Sequence, residues 1–141
     1  MPAPEEVSYR LRLVLGFLGE ARQDFNLERW RSCVDNSQLA TENAAKAVLA
    51  LLGPVGRTHN PSLLLREALA EGEFPAENSP QVERMAECAE LLGPDIHVQS
   101  DYGDEAGGRT PWELFDRDTA RQALDLAEEV AELSQQFLTR L

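Results

Sequence analysis

Glu42 and Lys46 stand four residues apart, acid first, in the alanine-rich stretch Thr41–Leu49. Lys46 is the one lysine of the chain; the other twelve basic residues are arginines. On a helix this order favours an ion pair worth about 0.3–0.5 kcal/mol. The pair is either a solvated surface contact or a wall where Lys46 meets an anionic ligand, with Asp35, Gln38, Glu42 and Asn43 along the same polar side. Just beyond lie Arg57 and His59, two residues apart in a loop. Arginine offers a fork of donors for phosphate. Histidine can donate, accept a proton or ligate; the alternative is that His59 only holds the turn by bonding backbone groups. Tyr102 and Arg109 sit in the glycine- and acid-rich stretch 100–110, where a ring can stack on a base and a guanidinium can hold phosphate. The alternative for Tyr102 is packing the loop onto the protein. His97 stands alone near a helix end and reads as structural. No metal-ligand spacing, phosphate-binding glycine loop, HExxH or nucleophilic-serine motif occurs, so no catalytic set, metal or cofactor is expected.

The elements that position these residues are helices. Val7, Leu11, Val14, Leu18, Ala21 and Phe25 recur at steps of three and four, which predicts a helix over residues 5–25, with Asn26 capping the next one. The second helix is expected over about 27–52, with Trp30, Val34, Ser37, Thr41, Ala44, Val48 and Leu51 on one face. Leu39 falls nearly opposite, as a second contact surface or a lone exposed leucine. Gly53-Pro54 stops this helix. Asn60-Pro61 opens a short helix over 61–71, with Leu64, Leu65, Ala68 and Leu69 inward. Ser79-Pro80 opens a fourth, running to about Leu92 and stopped by Gly93-Pro94, with a few more helical residues possible before Ser100. Thr110-Pro111-Trp112-Glu113 spells a capping box. Asp116 or Asp118 starts the last helix, whose apolar rhythm runs from Ala120 to Leu138. No alternating segment long enough for a sheet is present. The expectation is an all-α, antiparallel up-and-down bundle of four long helices plus short ones, with residues 1–141 as one domain.

The 141 residues carry a formal charge of −12, with 43% hydrophobic and 27% charged residues. So acidic a surface repels phosphate backbones, which argues against non-specific nucleic-acid binding. No apolar run reaches membrane-spanning length. The acidic start Met-Pro-Ala-Pro-Glu-Glu lacks signal-peptide order, so a cytoplasmic protein is expected. Cys33 and Cys88, far apart in helical patterns, read as reduced core thiols.

Three stretches together resemble the HEPN family (higher eukaryotes and prokaryotes nucleotide-binding domain). They are Gln38-Leu39-Ala40-Thr41-Glu42-Asn43-Ala44-Ala45-Lys46-Ala47, the turn Arg57-Thr58-His59-Asn60 before a leucine-rich helix, and Asp101-Tyr102-Gly103-Asp104 followed by Pro111-Trp112-Glu113-Leu114-Phe115. The likeness spans about residues 8–138. It implies a helical bundle that pairs into a homodimer and works with a small nucleotidyltransferase, often as a toxin–antitoxin pair. Some members bind nucleotides. Others are metal-independent ribonucleases using an arginine and a histidine separated by four to six residues. That spacing is absent: one residue separates Arg57 from His59, and no arginine stands at that distance before His97. The family's arginine before the loop tyrosine is Asp101 here. The leading expectation is a non-enzymatic HEPN-like dimer binding a nucleotide, a nucleotidyltransferase partner, or both, through Lys46, Arg57, His59, Tyr102 and Arg109. The alternatives are a ribonuclease using His59 as general acid–base with Arg57 stabilising charge, and a purely structural helical dimer.

Overall fold

A computed structural model describes residues 3–139. Among the described residues seven α-helices follow one another: α1 Ala3–Asn26, α2 Trp30–Leu49, α3 Pro61–Ala70, α4 Ser79–Leu91, α5 Pro94–Tyr102, α6 Pro111–Leu114 and α7 Arg117–Thr139. A short 3-10 turn, Ala76–Asn78, leads into α4. Among the described residues there is no sheet, only an isolated bridge between Asp104 and Arg109. The all-α bundle expected from the apolar rhythm is therefore present, with α1, α2, α4 and α7 as its long members.

Helix α2 is the axis of the bundle. It packs against α1 and α7 along its length and also meets α3, α4, α5 and α6. From Ala40 to Ala50 every residue is buried. Five alanines in this stretch, Ala40, Ala44, Ala45, Ala47 and Ala50, have no exposed surface. Small side chains let neighbouring helices approach from several directions, which explains why one helix can be wrapped on all sides. The core continues through Val14 and Leu18 of α1, Leu65 of α3, Val82 and Met85 of α4, and Leu124, Val130 and Phe137 of α7. Phe74 closes one end by meeting Phe137 edge-on at 5.9 Å.

Several boundaries differ from the sequence reading, each for a local reason. Asn26 is the last residue of α1 rather than a cap for α2. The α1 terminus is closed by Glu28 in the left-handed region at φ 59, with the Arg29 N–H donating to the Asp24 carbonyl. Helix α2 ends at Leu49, and Leu51 and Leu52 are exposed in the turn before Gly53. Leu64, expected inward, is exposed, whereas Leu65 and Ala68 are buried. Leu39 is half-buried. Pro94 opens α5 at its first position instead of merely ending α4, and the helix reaches Tyr102. The expected loop 100–110 thus shrinks to a tight turn. Gly103 starts it at φ 77, and an added Cβ there would collide with the Arg109 carbonyl and Pro111. The Asp104 and Arg109 backbones then exchange hydrogen bonds of 2.8 and 2.9 Å. The capping box holds: the Glu113 carboxylate accepts from both the backbone N–H and the hydroxyl of Thr110.

Candidate functional site

The expectation of a solvated Glu42–Lys46 pair fails. The two side chains are 5% and 8% exposed, with Lys46 Nζ 3.2 Å from Glu42 Oε2. The polar stripe that carries them is met by His59 of the α2–α3 loop at Glu42 and by His97 of α5 at Gln38. Charges are stable in such a place only when paired and hydrogen-bonded. Glu42 meets that requirement with three groups: Lys46, Gln38 Nε2 at 3.5 Å and His59 Nδ1 at 3.3 Å, the last two on Oε1. His59 is therefore not bonding backbone groups of its own turn. It reaches back across the loop to the helix carboxylate.

The second histidine joins the same cluster. His97, on α5, stacks on His59 with ring centroids 5.1 Å apart and planes 14° from parallel. Its Nδ1 lies 3.2 Å from Gln38 Oε1. Glu42 only accepts hydrogen bonds, so the Gln38 amide turns its NH2 toward Glu42 and its oxygen toward His97. His97 Nδ1–H is then the donor. The single lysine and both histidines of the chain thus meet around Gln38 and Glu42.

Beyond His97 the network turns acidic. His97 Nε2 is 4.0 Å from Asp101 Oδ2, one helical turn further along α5. Asp101 Oδ1 accepts from Arg31 Nη2 at 3.1 Å, and Arg31 also reaches Asp35 at 3.8 Å. Ser100, fully buried, donates to Asp35 Oδ1 at 3.1 Å. The Asp35 carboxyl is raised above the usual range, first by burial and then by the neighbouring Asp101 charge, against the lowering pull of Ser100 and Arg31. A separate polar group, Glu6, Arg10 and Asn43, ties α1 to the same side of α2.

The five residues singled out from sequence are not gathered into one pocket. Lys46 and His59 share Glu42. Arg57 is exposed and, among the described residues, makes no ion pair or side-chain hydrogen bond. Tyr102 is the last residue of α5, 68% exposed, rather than part of a loop. Arg109 is exposed and fixed by its backbone bridge to Asp104. Several clefts lie elsewhere. One of about 260 Å³ has an apolar floor including Leu49, Val55 and Leu64 and a rim of Glu67, Glu71 and Glu73. Another of about 300 Å³ lies between Arg31, Trp30 and Trp112. What the residue reading missed is His97 and its acidic neighbours. The available signal was Asp35, Gln38 and Glu42 recurring along a helix whose remaining faces are apolar or alanine, and His97 and Asp101 four apart.

Neither cysteine takes part. Cys33 and Cys88 are free and buried, and burial pushes both thiols up to about 11, which removes thiolate chemistry at neutral pH.

The fold and this polar helix together define an all-helical bundle built around one central, alanine-rich helix. The HEPN domain model matches residues 8–137, and the chain belongs to the HEPN family. Its fold is similar to the crystal structure of TT1696 from Thermus thermophilus, with a TM-score of 0.70 at 18% identity, over 96% of this chain and 98% of that one. Comparison with curated proteins finds no match. Among the described residues no helix is long and apolar enough to cross a membrane.

Proposed function

We propose that this HEPN protein is a non-enzymatic binding module, a homodimer that acts with a small nucleotidyltransferase in a toxin–antitoxin type pair and contacts a nucleotide phosphate. The observation that carries this reading is the state of the cations. Lys46 is buried on Glu42, and Arg31, the arginine nearest His97 in the network, is held by Asp101 and Asp35. Neither can follow charge developing on a phosphodiester. Glu42, Asp35 and Asp101 lie beside the two histidines and disfavour drawing a phosphodiester into the network itself. Arg57 and His59, by contrast, are exposed side chains of the α2–α3 loop, with His59 also joined to Glu42. They are the groups to meet a phosphate, with Lys46 ordering His59 through Glu42. Tyr102 and Arg109 offer an exposed ring and a cation near the end of α5. Calorimetric titration of ATP and GTP into the full chain tests the ligand. A saturable heat that Arg57→Ala weakens supports it; no heat from the wild type removes it.

A ribonuclease reading is favoured by one observation, the stacked histidine pair, because two adjacent imidazoles can serve as base and acid. An RNA cleavage assay decides it. Activity above background in the wild type that falls in both His59→Ala and His97→Ala would establish it, and equal background in all three excludes it.

A further inference from the structure

We propose that Asp35, His97 and Asp101 form a divalent transition-metal site at the junction of α2 and α5. One ligand atom from each of the three side chains lies within 4.8 Å of the other two. His97 and Asp101 are one turn apart on α5, so they present their groups side by side; Asp35 comes from α2, which is held to α5 through buried Ser100.

The orientation of His97 carries the argument beyond a cluster of acids. Its Nδ1–H is occupied by the Gln38 amide oxygen, itself 1% exposed. This is the outer bond that metal-ligating histidines characteristically make, fixing which nitrogen is free. The other ring nitrogen, Nε2, faces the Asp101 carboxylate at 4.0 Å with no hydrogen bond between them. An imidazole nitrogen and two carboxylates gathered within 4.8 Å of one another offer a cation three ligand atoms. Arg31 supplies one positive charge from the side, against two carboxylates. Imidazole with carboxylate oxygens suits Zn²⁺, Co²⁺, Ni²⁺ or Mn²⁺. Bonds of about 2.0–2.2 Å require the three groups to close in by small side-chain rotations. They also require Arg31 to give up its place. The Trp112 ring, 5.8 Å from the guanidinium, is the position it can retire to. Arg31 is thus the resident competitor of the metal.

Titrating Zn²⁺ and Co²⁺ into tag-free, nucleotide-free full-length protein tests this directly, with calorimetry for stoichiometry and Co²⁺ absorption for the ligand set. The expected result is one ion per chain, weakened at least about ten-fold in His97→Gln and in Asp101→Asn, and tightened in Arg31→Ala. Circular dichroism of each variant shows that the helices persist, and Asp35→Asn provides an independent loss should one variant unfold. Absence of saturable binding below millimolar metal overturns the site, as does binding that His97→Gln and Asp101→Asn leave unchanged. Because no nucleotide or partner is present, the outcome is independent of the nucleotide titration.

Discussion

At the scale of single residues, the decisive group is Glu42. It lies inside the protein, yet it is bonded by an ammonium, an amide and an imidazole from two helical turns and a loop. Removing it leaves Lys46 as a buried charge without a counterion. Glu42→Leu is therefore expected to cost about 3–5 kcal/mol, measured by denaturant unfolding. The double variant Glu42→Leu/Lys46→Met removes both charges and is expected to recover most of that loss. If the double variant is as unstable as the single one, the pair is not what holds this side of α2. Nothing in the sequence revealed that the pair is buried. An i,i+4 Glu–Lys pair looks the same on a solvated face, and the groups that meet this stripe, His59 and His97, are more than ten residues further along the chain.

At the scale of elements, the helices were legible because their apolar residues recur at three and four. Their ends were less so. Asn26 looks like a cap, but the left-handed Glu28 closes α1 two residues later, a conformation that composition does not announce. Pro94 carries the same ambiguity, since proline both ends one helix and starts the next. The turn after α5 gives a sharp test of position. Gly103 and Gly108 both have positive φ, but only at Gly103 would a Cβ strike backbone atoms; the space around Gly108 is open. Gly103→Ala is expected to lower the melting temperature clearly more than Gly108→Ala, which carries only the φ penalty of roughly 1 kcal/mol. Equal shifts would mean that the Asp104–Arg109 turn is not packed against α6 as described. The clustering of His59 with His97 was not readable at this scale at all. Thirty-eight positions separate them, and only the packing of α5 against α2 brings the rings together.

At the scale of the whole molecule, the family and the bundle were legible from three spaced stretches, while the site was legible only in its first half, Lys46 and His59. The bidentate contact of Arg84 with Glu129, at 2.6 and 2.8 Å, joins α4 to α7. The Arg84 hydrogen bonds hold the Glu129 carboxyl below its usual range. A depressed folded-state value means that the contribution is complete above the unfolded pKa of about 4.3 and is lost as pH falls through the lower folded value. Thermal melts from pH 7 to 3 should therefore show wild type losing stability at the acid end faster than Glu129→Gln. Parallel curves would show that this clasp adds nothing, as for many exposed pairs.

The central claim is that a HEPN bundle with its lysine buried on Glu42 still presents Arg57 to a phosphate. Calorimetric titration of ATP and GTP into the full chain and into Arg57→Ala measures it. The account predicts saturable binding by the wild type and about ten-fold or greater weakening in the variant, the loss of one charge-assisted contact. Absence of heat from either nucleotide at millimolar concentration, or equal affinity in the two proteins, would contradict it.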